Sequence, residues 1–164
     1  MLKNKARRIR LVLLDVDGTL TDGQLIYGPD GEAFKSFNVK DGMGISLARR
    51  EGIEVGLISG RNSGLVEARA GELNIAYVWQ GVGDKVGLLR DILKQCACAP
   101  EDVAFMGDDL NDLPLLEAVG LSAAPGDAVR EVREAVDYVT ERDGGKGAVR
   151  ELLDFIRTER LTIG

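Results

Sequence analysis

The stretch Ile9–Gly23, IRLVLLDVDGTLTDG, is an apolar run that stops abruptly at acid and glycine. Ile9 to Leu14 is short, apolar and partly β-branched, which reads as a strand buried on both faces, as in a parallel sheet. Gly18 ends it. Asp15 and Asp17 are two apart, so on a continued strand both carboxylates share a face and meet in one space. Two anions that close repel unless a cation lies between them or one takes a proton. The pair therefore asks for a hard divalent ion with oxygen ligands, Mg²⁺ above all. Asp and Gly also build ordinary turns after strands, so this stretch alone leaves both readings open.

Further along, Val55–Ile58, Ala76–Trp79, Val103–Met106, a short run near Leu121 and Tyr138–Val139 read as strands. Helical segments are expected over Asp41–Arg50, Asn62–Leu73, Lys85–Gln95 and Leu113–Val119, from about Ala128, and from Ala148 to about Arg157. Alternation of this kind implies βαβ units and an α/β, doubly wound, mostly parallel sheet with helices on both faces. Two β-prone runs flank Gly28-Pro29-Asp30-Gly31 and predict a protruding hairpin over about residues 24–38. A lone hairpin is marginal in water, so Leu25, Ile26, Tyr27, Phe34 and Phe37 need a partner, either this domain's own body or another subunit. No repeat or linker divides the chain, which is expected to be a single domain over residues 1–164 with a loose tail from about residue 158.

The composition narrows the chemistry. A length of 164 residues with 45% hydrophobic and 29% charged residues suits one domain with a real core. No apolar run reaches the roughly 20 residues of a membrane span, and the basic start lacks the apolar segment of a signal peptide, so a cytoplasmic protein is expected. A net charge of −6 argues against nucleic acid as a main partner. Cys96 and Cys98 are too close for easy disulfide geometry and too few for zinc, so they read as plain thiols. There is no histidine, which removes the Ser-His-Asp and Cys-His mechanisms and leaves carboxylates, Lys, Ser and Thr.

Those groups gather at one place in the pattern. Asp15/Asp17, Ser59 and Asp108/Asp109/Asp112 each follow a buried strand, and Lys85 opens the helix after the third. Ligands of open α/β sheets bind at the carboxyl ends of the strands. Asp15 and Asp108 can supply oxygens to Mg²⁺, and Ser59 with nearby backbone N–H groups can hold a phosphoryl group. Lys85 can neutralise charge, Asp15 can attack phosphorus, and Asp17 can serve as acid and base.

With D-x-D-x-T at Asp15, Asp17 and Thr19, ISGR around Ser59, GDK at Lys85 and GDDLND over Gly107–Asp112, the chain resembles the haloacid-dehalogenase-type phosphatases. The resemblance implies Asp15 as nucleophile, Asp17 as acid/base, and Asp15, the Asp17 carbonyl and Asp108 as metal ligands steadied by Asp112. DGTLTDGQLIYGPDGEAFKSFNVKDGMGI, YVWQG and GGKGAVRE resemble capless members that act on phosphorylated sugar acids, the eight-carbon ulosonate 8-phosphate of lipopolysaccharide precursor synthesis first among them. A nine-carbon ulosonate 9-phosphate is the sister substrate, and a phosphoacceptor domain of the receiver type or an idle scaffold is the reading outside catalysis. Neither gap between motifs leaves room for a cap. By resemblance the protein is a homotetramer whose hairpins help close the site, with substrate contacts at Asn38, Val39, Lys40, Asp41, Gly42, Ser59, Gly60, Arg61, Arg69, Lys85 and Asn111. Arg61 and Arg69 are expected on one helix face, placed to meet a carboxylate. Ser46 stands where relatives often carry a basic residue.

Overall fold

The structure, a computed structural model, describes residues 1–162. Its elements run α1 (Leu2–Arg8), β1 (Leu11–Leu14), β2 (Ile26–Gly28), β3 (Gly31–Phe34), α2 (Val39–Arg50), β4 (Glu54–Ile58), α3 (Gly64–Glu72), β5 (Tyr77–Trp79), α4 (Lys85–Gln95), β6 (Val103–Met106), α5 (Leu113–Ala118), β7 (Leu121–Ala124), α6 (Arg130–Ala135), β8 (Tyr138–Val139) and α7 (Ala148–Leu161). Six strands form one sheet in the order β5-β4-β1-β6-β7-β8, parallel at each pairing, and β2 and β3 form a separate antiparallel hairpin. The chain leaves the centre through β4 and β5, then returns to build the other half from β6. The order therefore reverses between β1 and β6, where a crevice opens at the strands' carboxyl ends. Among the described residues no cap domain interrupts this plan.

The period of two in β1 sorts its side chains. Val12 and Leu14 face a layer containing Val149, Leu152 and Ile156 of α7, while Leu11 and Leu13 face Leu89, Ile92 and Leu115 of the opposite layer. Both faces are covered, so β1 is apolar throughout. Phe105 of β6 is fully buried in the second layer.

Two features at the chain's ends go beyond or against the sequence expectations. The basic start is a helix, α1, and the last helix continues to Leu161 instead of fraying from residue 158. One contact accounts for both: Glu159 of α7, 7% exposed, meets Lys3 at 3.1 Å and Arg7 at 3.5 Å on α1. Neither end carries enough local signal to be helical alone; each is ordered by the other. Of the expected loose tail, residues 163–164 lie outside the described residues.

Replacing Phe105 by Ala leaves a cavity between sheet and helices and is expected to cost about 3–5 kcal/mol of unfolding free energy. Urea denaturation followed by circular dichroism checks this.

Candidate active site

The site begins where β1 stops. The Asp15 N–H still donates to the Met106 carbonyl at 3.0 Å, so the residue is held against β6 as if the strand ran on. The chain then makes one loose helical turn, Val16–Leu20, broken at Asp17 and at Gly18, whose φ is +92°. Asp17 thus reaches the cleft from a turn, not as the next residue on a strand face. Gly18 is required twice, for its left-handed backbone and because a Cβ there would collide with the Asp108 carboxylate. The Thr21 hydroxyl accepts from the N–H groups of Gly18 at 3.2 Å and Gly23 at 3.1 Å, which closes the loop on itself. The GGKG segment braces it from outside: Gly145 N–H donates to the Thr19 carbonyl at 3.0 Å, and a Cβ on Gly144 would run into the Gly18 carbonyl.

Three carboxylates converge here. Oxygens of Asp15, Asp108 and Asp112 all lie within 4.8 Å of one another. Lys85, at the start of α4, is buried, and its Nζ donates to Asp15 Oδ1 at 2.6 Å and Asp112 Oδ1 at 2.7 Å. The other oxygen of Asp112 accepts from the N–H groups of Asp108 at 3.0 Å and Asp109 at 3.4 Å. Asp112 therefore locks the loop after β6 to Lys85. Burial, reinforced by Asp112, lifts the Asp15 pKa to about 6 against the pull of Lys85. Burial and then the Asp15 charge lift Asp108 further, to about 8. Burial opposes the charge on Lys85, but Asp15 and Asp112 outweigh it and hold its pKa above the ordinary lysine value. One lysine does not balance three acids, and Asp108 has no cationic partner among the described residues. An all-oxygen donor set with surplus negative charge fits a divalent cation such as Mg²⁺.

Asp15, Asp17, Lys85 and Asp108 border a cleft of about 230 Å³, with Ser59, Gly60, Arg61, Asp109 and Asn111 around them. Ser59, at the end of β4, is buried; its hydroxyl accepts from the Arg61 N–H at 3.2 Å and keeps its own proton for a ligand. Arg61 precedes α3, which starts at Gly64, so it does not share a helix face with Arg69.

Six of the expected contact residues form a different cluster. Asn38 caps α2, accepting from Lys40 N–H at 2.8 Å. Asp41, 1% exposed, turns away from the cleft and accepts from Arg150 N–H at 2.9 Å, closing the first turn of α7. Arg69 lies 5.7 Å from the Phe37 ring centroid, pairs with Glu72 at 3.0 Å and fits over Gly42, where a Cβ would strike its guanidinium. Val39 is exposed, and none of Asn38, Val39, Lys40, Asp41, Gly42 or Arg69 borders the cleft. The buried helix end claims Asp41, and Phe37 with Glu72 claims Arg69.

Residues the sequence reading passed over come from the hairpin. Lys35 Nζ donates to Asp17 Oδ1 at 2.5 Å and contacts Glu32 at 2.7 Å; Ser63 Oγ donates to Glu32 at 2.5 Å; the Arg61 guanidinium donates to the Tyr27 hydroxyl at 3.4 Å. A signal was present. Following β3, Phe34 points out and Lys35 points in, the reverse of ordinary strand patterning.

The profile of the haloacid dehalogenase-like hydrolases matches residues 74–152. The chain is 49% identical to the 3-deoxy-D-manno-octulosonate 8-phosphate phosphatase KdsC of Salmonella typhi over 152 residues, 93% of this chain and 81% of the relative. This chain belongs to the haloacid dehalogenase-like hydrolase family. Among solved structures, the 3-deoxy-D-manno-octulosonate 8-phosphate phosphatase from Yersinia pestis superposes with a TM-score of 0.96 at 41% identity, covering 99% of this chain and 88% of the other. The enzyme of the same name from Moraxella catarrhalis, solved with a magnesium ion, a phosphate ion and a KDO molecule, superposes at 0.94 with 37% identity over 98% of this chain and 92% of the other.

The raised acids make stability depend on pH. Asp108 binds its proton more tightly in the fold (about 8) than in the unfolded chain (3.8). Its contribution is complete below the unfolded value and is lost as pH rises towards the folded one. In chelating buffer, unfolding free energy from urea titrations should fall between about pH 5 and pH 8. Asp108→Asn should flatten the fall, and added Mg²⁺ should reverse it at the upper end. A wild-type slope unchanged in the variant contradicts this assignment.

Proposed function

We propose that this protein is a Mg²⁺-dependent phosphoric monoester hydrolase acting on a phosphorylated sugar acid, 3-deoxy-D-manno-octulosonate 8-phosphate, to give the free sugar acid and phosphate. The observation that carries the reading is Asp15 held between Lys85 and Asp108, with the separate carboxylate of Asp17 on the same cleft. Relatives bearing that name at 49% identity support the substrate.

Asp15, the Asp17 carbonyl and Asp108 would hold the ion, with Asp112 steadying its surroundings; a bound Mg²⁺ supplies Lewis-acid screening of phosphoryl charge. Asp15 attacks phosphorus in line and becomes an aspartyl phosphate. Lys85 keeps the attacking carboxylate in place and balances the phosphoryl oxygens. Ser59 donates its hydroxyl proton to one of those oxygens. Asp17 passes a proton to the departing sugar oxygen, then takes one from the water that opens the aspartyl phosphate. Gly60, Arg61 and Asn111 border the space left for the sugar acid, where Arg61 offers its carboxylate a fork of donors.

The whole chain serves as one phosphatase domain in this reading, and the working form is a homotetramer. Leu25 is 39%, Ile26 42%, Tyr27 62% and Phe34 68% exposed on the hairpin, while Phe37 packs on the core. The exposed four suit contact with other copies, across which Asn38, Val39, Lys40 and Arg69 would reach a cleft, while the buried Asp41 and Gly42 support them from within. A cytoplasmic location follows from a substrate too charged to cross a bilayer unaided; no helix among the described residues is long and apolar enough to span one.

Phosphate release from the eight-carbon and nine-carbon ulosonate phosphates and simple sugar phosphates tests the reading. The eight-carbon ester should be preferred, and chelator should stop turnover. Asp15→Asn should lower kcat by roughly 10³-fold or more. Turnover that survives Asp15→Asn rules out the covalent route. Light scattering should give about four times the monomer mass, and Phe34→Lys should reduce it.

A further inference from the structure

We propose that Lys35, carried to the cleft by the β2–β3 hairpin, is a positioning residue that holds the Asp17 carboxylate for proton transfer to the leaving sugar oxygen. The inference rests on Asp17 serving as the acid in the proposed reaction. Although its neighbour Phe34 is 68% exposed, the Lys35 side chain is 1% exposed. A buried ammonium is costly unless charged partners surround it. Here the partners are Asp17 Oδ1 at 2.5 Å and Glu32 Oε1 at 2.7 Å. Glu32 is in turn held by Ser63 Oγ at 2.5 Å, and Ser63 by its own N–H to Gln80 at 2.8 Å, just before α3. The hairpin is thereby strapped to the rigid body of the sheet, and the strap ends on Asp17.

The strap treats the two oxygens of Asp17 differently. Oδ1 is tied to Lys35, while Oδ2 accepts no hydrogen bond among the described residues and belongs to a side chain bordering the cleft. One oxygen sets the angle and the other is left to carry the proton. Glu32 shares the ammonium, so Lys35 stays compensated when Asp17 bears that proton. In the step itself Asp15 forms the new bond to phosphorus and the phosphorus–sugar oxygen bond breaks. The Asp17 proton moves to that oxygen, and Lys35 exchanges nothing.

A leaving group that needs no proton isolates this role. A sugar oxygen departs poorly as an anion, whereas p-nitrophenolate departs readily. The ratio kcat/KM reports only events through loss of the alcohol, so water attack on the aspartyl phosphate does not enter. Lys35→Met should lower kcat/KM on the sugar-acid phosphate by ~100-fold, but on p-nitrophenyl phosphate by less than ~5-fold. The loss should lie in kcat, and Lys35→Arg should restore at least ~tenfold. If Lys35→Met does not fold, Glu32→Gln should show the same selectivity for the sugar ester with a smaller loss. Equal losses on both esters, or a loss confined to KM, overturn the proposal. Wild-type enzyme that cleaves the aryl ester but no sugar-acid phosphate refutes the proposed function, and this inference with it.

Discussion

Lys85 between Asp15 and Asp112 is the contact on which the site's order rests. One ammonium, almost out of reach of water, ties the loop after β1 to the loop after β6 across the crevice where strand order reverses. Without it the buried acids would repel and those loops would separate. With it Asp108 is still left without a cationic partner among the described residues, and burial beside Asp15 raises its pKa to about 8. The fold thus holds Asp15, Asp108 and Asp112 together in an arrangement that suits a divalent cation. Perturbed groups of this kind cluster at functional sites.

Around that contact the backbone approaches itself unusually closely. Gly18 lies against Asp108, and Gly144 against Gly18, so the first motif and the GGKG segment near the end of the chain form one packed unit. Side chains at these positions would push the acids apart. Asp41 extends the unit, because its carboxylate, on the first turn of α2, accepts from the Arg150 N–H at the buried start of α7. The loop after β1 is therefore supported from α2, α7 and β6 together, and its geometry is a property of the whole fold.

The hairpin has two faces with different tasks. Its inward residue Lys35 and its partner Glu32 reach the cleft, while Ile26, Tyr27 and Phe34 remain exposed. The sequence reading left its apolar residues open between the body of the domain and another subunit. The structure shows Phe37 on the core and the other four uncovered by this chain, and shows polar hairpin groups bound to the site beneath.

Strand-ending acids, their spacing and the alternation of apolar runs were enough to read the parallel sheet and to bring Asp15, Asp17, Lys85, Asp108 and Asp112 to one end of it, because each of these follows a local pattern repeated at the same end of successive strands. Helix limits near residues 62 and 158, the direction of Asp41, the surroundings of Arg69 and the reach of Lys35 were not legible. Each depends on a partner far away along the chain: Gln80 for Ser63 at the start of α3, Arg150 for Asp41, Phe37 for Arg69, Asp17 for Lys35, Lys3 and Arg7 for Glu159. A polar side chain in sequence announces what it can bond to; which of several competing partners it meets is settled by packing, since burial makes one pairing favourable and leaves the others out of reach.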